Sequence, residues 1–139
     1  MKKILFIDDD MRRMQWRIKY LELEGYEIVK AETVGEALEK AKLLKSEIGL
    51  VILDIMMPGN GIFKKEETQG YTRTGRLILN RIKEILPSIP IIILTIVEDE
   101  EFEEEMGLLG VTEYFRKIGT DVNDFYDAVK RNLSLKKYK

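Results

Sequence analysis

The stretch Gly49-Leu50-Val51-Ile52-Leu53-Asp54-Ile55-Met56-Met57-Pro58-Gly59 decides the predicted fold. Its apolar run from Gly49 to Leu53 is typical of a strand that is buried on both faces of a parallel sheet. The run ends at Asp54, and Pro58-Gly59 predicts a turn soon afterwards. Because α/β proteins place their chemistry at the carboxyl edge of the sheet, we expect Asp54 to be held on a rigid strand end and presented to solvent.

Apolar runs and amphipathic segments alternate along the whole chain. Further strands are predicted at Ile4 to Ile7, Tyr26 to Lys30, Ile91 to Leu94 and Val111 to Arg116. A third helix is expected from about Thr74 to Leu86, after a long loop from Gly59 to Gly75. The alternation predicts a single α/β domain over residues 1–139, with a flavodoxin-like, doubly wound (βα)5 fold and a five-stranded parallel sheet in the order 2-1-3-4-5.

The composition excludes several classes of function. The 139 residues include 23 basic and 25 acidic side chains, so a net charge of −2 gives no bulk attraction to nucleic acid. Histidine and cysteine are absent from the sequence, which removes disulfides, thiol nucleophiles, imidazole bases and most zinc sites. A bound metal would need oxygen ligands, as Mg2+ and Mn2+ prefer. No segment has the pattern of a signal peptide or a membrane span, so the expected location is the cytoplasm.

Polar side chains follow four of the predicted strands, namely Asp8 and Asp9, Asp54, Thr95 and Lys117. Parallel strands end at the same edge of a sheet, so these residues are expected to converge. Neighbouring carboxylates repel one another and favour a bound cation, and oxygen ligands suit Mg2+. A lysine and a threonine hydroxyl beside them would suit an anion. The combination predicts transfer of a phosphoryl group to Asp54, which gives an acyl phosphate.

The motifs at these strand ends resemble those of the receiver domain of bacterial response regulators. The matching segments are Ile4-Leu5-Phe6-Ile7-Asp8-Asp9-Asp10, Asp54-Ile55-Met56-Met57-Pro58-Gly59, Ile91 to Thr95 and Tyr114-Phe115-Arg116-Lys117. The resemblance covers nearly the whole chain, and four motifs in the right order are specific to the family. It implies a phosphoprotein of two-component signal transduction rather than an enzyme, with a histidine kinase or a histidine phosphotransfer protein as the phosphoryl donor.

The resemblance also implies a role for each acidic residue of the site. Asp54 would be the phosphoacceptor. Asp9, Asp54 and the backbone carbonyl of Met56 would bind Mg2+, for which Mn2+ could substitute, and Asp8 would act nearby or through a water molecule. Without histidine in the sequence, the chain cannot itself be a phosphohistidine donor.

A switch between two conformations follows from the same resemblance. Thr95 and Lys117 would hold the phosphoryl oxygens, and Tyr114 would be an aromatic side chain that rotates when Thr95 moves inward. The new charge would reshape the face formed by the fourth helix, the fifth strand and the fifth helix. That face would bind an output protein, which the sequence does not name, and a phosphorylation-dependent dimer is a further option.

The sequence departs from the family pattern in four respects. Ile118 stands where the family usually has a cis proline, and Ile96 stands where alanine or glycine is common, so that its bulk could shade the site. The loop from Gly59 to Gly75 is longer than usual, and it is either a lid or a tolerated insertion. No effector domain follows, so the output is through protein contacts or the chain is a piece of a longer regulator.

Two alternative functions remain open from the sequence. One is a pseudo-receiver, a binding module that is not phosphorylated. The other is a phosphatase that resembles the haloacid dehalogenases, with Asp8 as the nucleophile and Asp10 as the acid/base. Labelling at Asp54, at Asp8 or at neither residue would separate the three functions.

Overall fold

The sheet has the predicted parallel arrangement. The structure is a computed structural model that describes residues 2–57 and 70–137, with the side chains of residues 70–73 and 135–137 left aside. Five strands form one sheet in the order β2-β1-β3-β4-β5, and all of its pairs are parallel. The strands are β1 (Lys3–Ile7), β2 (Glu27–Ala31), β3 (Ile48–Leu53), β4 (Ile91–Thr95) and β5 (Glu113–Arg116). The predicted fold class and strand order are therefore confirmed.

Helices follow the strands in the expected alternation. They are α1 (Met11–Leu23), α2 (Val34–Leu43), α3 (Gly70–Ile85), α4 (Glu100–Leu108) and α5 (Val122–Lys137). Within the two described ranges, none of these helices has both the length and the apolar character that crossing a membrane requires.

The central strand β3 fixes the position of the polar edge. All six of its residues are buried, and β1 and β4 pair with it on either side. Leu53 lies opposite both Ile7 of β1 and Ile93 of β4. The Asp54 backbone N–H then donates to the Ile7 carbonyl at 2.9 Å, which extends the ladder by one residue. The residues that follow β1 and β3 are thereby brought side by side.

Two hydrophobic cores lie on opposite faces of the sheet, because successive strand residues point to opposite sides. The first core is covered by α2, α3 and α4, and it contains Leu5 and Ile7 of β1. The second core is covered by α1 and α5, and it contains Ile4 and Phe6 of the same strand. The sheet is thus covered on both faces, which leaves its carboxyl edge as the place for polar chemistry.

The third helix was predicted to begin too late. It begins at Gly70, four residues before Thr74, so the last part of the expected loop from Gly59 to Gly75 is helical. Gly70 and Gly75 argued against a helix here, because glycine lowers helix propensity. Gly75, however, is needed for packing. An ideal Cβ at Gly75 would lie 3.1 Å from Phe102 Cζ and 3.3 Å from Ile55 Cβ. The remainder of the expected loop, residues 58–69, lies outside the described residues.

Candidate functional site

Three carboxylates meet at the carboxyl edge of the sheet. Asp8 and Asp9 follow β1, and Asp54 follows β3. One carboxylate oxygen from each of the three residues lies within 4.8 Å of the oxygens from the other two. Asp8 and Asp54 are buried, with 1% and 4% of their surface exposed, whereas Asp9 is exposed. Two of the three carboxylates are therefore buried, and the third is exposed to solvent.

Lys117 joins the two buried carboxylates. Its Nζ lies 2.8 Å from Asp8 Oδ2, and it donates a hydrogen bond of 3.1 Å to Asp54 Oδ2. Burial by itself lowers the pKa of Lys117, but the Asp8 and Asp54 carboxylates outweigh burial and hold the pKa above its ordinary value. Lys117 thus stays a cation at the centre of the acidic cluster.

The negative charges of Asp8 and Asp9 remain unfavourable even with Lys117 beside the acidic cluster. Burial raises the pKa of Asp8, and the charge of Asp54 raises it further, whereas Lys117 and the backbone N–H of Asp10 oppose the rise. Burial and the charge of Asp54 also raise the pKa of Asp9. A raised pKa means that the ionised form of each acid is destabilised in the folded protein. A cation placed among these oxygens would relieve that cost.

The Asp54 side chain is directed inward, contrary to the expectation that it is presented to solvent. Its Oδ1 accepts a 3.0 Å hydrogen bond from the Met56 backbone N–H, and its Oδ2 accepts from Lys117. Met56 itself is 41% exposed, so the turn after β3 carries an apolar side chain at the rim of the site. The Met56 N–H contact was missed from the sequence, although an aspartate followed by a turn is a common signal for it.

Thr95 and Tyr114 lie on the strands next to this cluster. Thr95 is fully buried, its hydroxyl oxygen accepts from the Val97 N–H at 3.5 Å, and its carbonyl accepts from the Lys117 N–H at 2.7 Å. The Tyr114 hydroxyl donates to the Val97 carbonyl at 2.9 Å. Both residues are thereby tied to the segment between β4 and α4. The role of Val97 was not predicted, because it is played by backbone atoms.

The remaining residues that the sequence singled out lie at the rim or outside the cluster. Ile96 and Ile118 are 52% and 71% exposed, so both face solvent. The described residues contain no cis peptide bond, and the Lys117–Ile118 bond is therefore trans. Asp10 caps α1 by accepting from the Arg13 N–H, and its carboxylate pairs with the Arg13 side chain at 3.2 Å. The Asp10 carboxylate, which a phosphatase would need as its acid/base, is thus engaged in these two contacts.

Comparison with known proteins decides the family. The model of the response regulator receiver domain matches residues 4–130. The chain belongs to the response regulator receiver domain family. Receiver domains are signalling domains of two-component systems, so the expected family is confirmed.

Individual relatives of this receiver domain agree with the family match. The response regulator SaeR of Staphylococcus epidermidis is 33% identical over 117 residues, which cover 84% of this chain and 44% of SaeR. The receiver domain thus spans less than half the length of that relative. A receiver domain protein from Clostridium thermocellum has a TM-score of 0.78 and 29% identity, with 99% and 98% of the two chains covered. The response regulator TrrA of Thermotoga maritima, solved in complex with Mg2+–BeF, has a TM-score of 0.71 and 29% identity, with 95% and 99% covered.

Proposed function

We propose that the chain is a phosphoacceptor receiver of a two-component phosphorelay, and that Asp54 accepts the phosphoryl group. The observation that carries the proposal is the position of Lys117 Nζ, 2.8 Å from Asp8 and 3.1 Å from Asp54. A lysine that pairs with a buried carboxylate can pair instead with the oxygens of a phosphoryl group once that carboxylate is phosphorylated. Few other chemistries use three carboxylates and one lysine without a histidine or a cysteine.

In the proposed step an oxygen of the Asp54 carboxylate attacks the phosphorus of a phosphohistidine on the donor. The new O–P bond forms as the P–N bond breaks, and the electron pair of the broken bond stays on the imidazole nitrogen. The other ring nitrogen of the phosphohistidine carries a proton, so the donor leaves as a neutral imidazole. Lys117 moves from the carboxylate to the phosphoryl oxygens, which carry a charge of about −1.5 to −2. The hydroxyl of Thr95 donates to one of these oxygens. Atoms and charge balance without a separate general base.

The acidic cluster also fits a divalent cation. Oxygens of Asp8, Asp9 and Asp54 lie within 4.8 Å of one another, close to the roughly 4 Å that separates opposite ligands of Mg2+. With the Met56 carbonyl as a further ligand, these residues would hold Mg2+, and Mn2+ would suit the same oxygens. When bound, the ion would neutralise charge on the phosphoryl group during transfer. The related TrrA was solved in complex with Mg2+–BeF, which supports this assignment.

The partners and the output follow from the same proposal. The donor is a histidine kinase or a histidine phosphotransfer protein. Phosphorylation draws Thr95 toward the phosphoryl group and changes the Tyr114 contact with Val97, which currently links β5 to the segment before α4. The face of α4, β5 and α5 is then altered for an output protein or a second copy of the chain. Residues 1–139 form this one receiver unit.

Substitution at Asp54 tests the proposal directly. Incubation of the protein with acetyl phosphate and Mg2+ should give one phosphoryl adduct by intact mass, and Asp54→Asn should lose it because an amide oxygen is a poor nucleophile. Asp10→Asn is the control, since an asparagine keeps the cap of α1. An adduct that survives in Asp54→Asn but disappears in Asp8→Asn would favour the phosphatase. No adduct on the wild-type protein, with Mg2+ binding retained, would favour the pseudo-receiver.

A further inference from the structure

Helix α4 is held to the first core by few apolar contacts. Only Phe102 and Met106 are buried among its nine residues. Its exposed side is acidic, and Asp99 caps its first turn by accepting from the Phe102 N–H at 3.1 Å. An element with so little buried surface belongs to the part of a fold that moves at low cost. Its position must therefore depend on polar contacts with neighbouring elements.

Helix α3 supplies polar contacts at two points along α4. The Arg76 guanidinium forms a two-pronged pair with Glu105, in which NH2 donates to Oε1 at 2.7 Å and Nε donates to Oε2. Lys83 Nζ, two turns further along α3, donates to the carbonyl of Leu109 at the end of α4. These two contacts, Arg76–Glu105 and Lys83–Leu109, are here named the α3–α4 clasp. They hold the second half of α4 against α3.

The same turn of α3 contacts the segment after the phosphoacceptor. Gly75, next to Arg76, lies so close to Ile55 and Phe102 that an added Cβ would come within 3.1–3.3 Å of both. Ile55 directly follows Asp54 and is fully buried. A displacement of the Asp54 segment therefore reaches α3 through Ile55, and α3 is attached to α4 by the clasp. This route is separate from the one through Thr95 and Tyr114.

A second arginine pairs with α4 from the opposite side. Arg116 at the end of β5 lies 3.2 Å from Glu103, and it directly precedes Lys117. The clasp and this pair attach α4 to two different neighbours. If α4 moves relative to the sheet, at least one of the two pairs has to break or lengthen. The balance between them can therefore set where α4 rests.

We propose that the α3–α4 clasp favours the position of α4 that accompanies the unmodified Asp54, and so sets how readily the receiver switches. The inference rests on the proposed function, because it takes phosphorylation of Asp54 as the event that moves α4. In the arrangement described, Lys117 still bonds to the Asp54 carboxylate, so the clasp belongs to the unmodified state. Arg76 and Lys83 are then positioning residues that act through α4 and not on the phosphoryl group.

The α3–α4 clasp is expected to be weak enough for phosphorylation to override it. The Arg76 and Glu105 side chains are 45% and 34% exposed, so water screens their attraction. A pair of this kind shifts a conformational equilibrium by a factor of about two to five. The charge added to a phosphorylated aspartate can override an effect of that size. Loss of the clasp should therefore ease switching without abolishing it.

Amide hydrogen exchange tests whether the clasp holds α4. Arg76→Ala and Lys83→Ala should raise exchange in the second half of α4 by about two- to fivefold in the unmodified protein. Lys40→Ala is the matched control, because the Lys40 side chain is 36% exposed and pairs with Glu36 at 3.5 Å on α2, outside the face of α4, β5 and α5. The exchanged pair Arg76→Glu with Glu105→Arg should restore protection. Equal α4 exchange in Arg76→Ala and Lys40→Ala would overturn the proposal.

Binding of beryllofluoride, which mimics the phosphoryl group, tests the coupling. With Mg2+ present, calorimetry should show an affinity about two- to fivefold higher for Arg76→Ala than for the wild type or Lys40→Ala, because linkage makes the effect reciprocal. Unchanged affinity together with faster α4 exchange would overturn the coupling and leave the proposed function standing. A wild-type protein that takes up neither beryllofluoride nor a phosphoryl group would overturn the proposed function itself, whatever the exchange in α4.

Discussion

Asp9 is the exposed member of the acidic cluster, and its charge is the easiest to remove without disturbing a core. Its pKa is raised by burial and by Asp54, so the folded protein holds this proton more tightly than the unfolded chain does. The contribution of Asp9 to stability therefore falls as the pH rises from the ordinary aspartate value of about 4 through the folded-state pKa. At neutral pH without metal, ionised Asp9 destabilises the fold.

The variant Asp9→Asn is accordingly expected to unfold at a higher urea concentration than the wild type, at pH 7 and with a chelator present. The gain should stay below about 1 kcal/mol, because water screens an exposed carboxylate. It should shrink toward pH 4, where wild-type Asp9 takes up its proton, and Mg2+ should stabilise the wild type more than the variant. Asp10→Asn serves as the control. A variant that is less stable than the wild type at pH 7 would contradict this explanation.

At the scale of residues, the sequence indicated which side chains converge but not how they are turned. Asp8, Asp9, Asp54 and Lys117 could be placed together because each follows a strand of a parallel sheet. The Met56 N–H contact has a local sequence signal, but the inward turn of Asp54 also depends on Lys117, 63 residues away, and that contact could not be predicted. Side-chain direction is set by such tertiary contacts, which spacing along the chain does not encode.

Two glycines within helices differ in what surrounds them, and this difference gives a test at the scale of elements. An added methyl group at Gly75 would crowd Phe102 and Ile55 at 3.1–3.3 Å, whereas one at Gly107 of α4 would meet nothing within 4 Å. Both substitutions by alanine gain about 1 kcal/mol of helix propensity. Gly75→Ala also overpacks the contact, which costs about 1–3 kcal/mol.

Gly107→Ala should therefore raise the free energy of unfolding, and Gly75→Ala should be the less stable of the two by about 1–3 kcal/mol in urea titrations. Equal stability of the two variants would show that α3 can move away from Ile55. The same glycine explains why the start of α3 was predicted too late. Glycine lowers helix propensity, but here close packing between helices required its missing side chain, and packing overrides propensity.

At the scale of the whole molecule, both cores share the strands of one sheet, so the domain should unfold in a single transition. Trp16 is the sole tryptophan, and it lies 56% exposed on α1, on the side of the second core. Ile82 is fully buried in the first core. Ile82→Ala should lower the unfolding free energy by about 2–5 kcal/mol, and Trp16 fluorescence and far-ultraviolet circular dichroism should report the same midpoint.

Trp16→Phe provides the control for that experiment, since an exposed ring contributes little to stability and the dichroism midpoint should hardly change. Fluorescence and dichroism midpoints that separate in Ile82→Ala would mean that the two faces unfold independently. The overall fold was predictable because the alternation of buried runs and amphipathic helices extends over the whole chain. Packing between helices, such as that of α3 on α4, was not predictable, because it depends on which helix faces meet on one side of the sheet.

The strand order leaves β2 and β5 at the two edges of the sheet. Each edge strand carries charges of both signs, with Glu27 and Lys30 on β2 and Glu113 and Arg116 on β5. A strand from another molecule that added itself to either edge would have to accommodate these charges beside its own backbone. These charges therefore oppose growth of the sheet by strand addition at either edge.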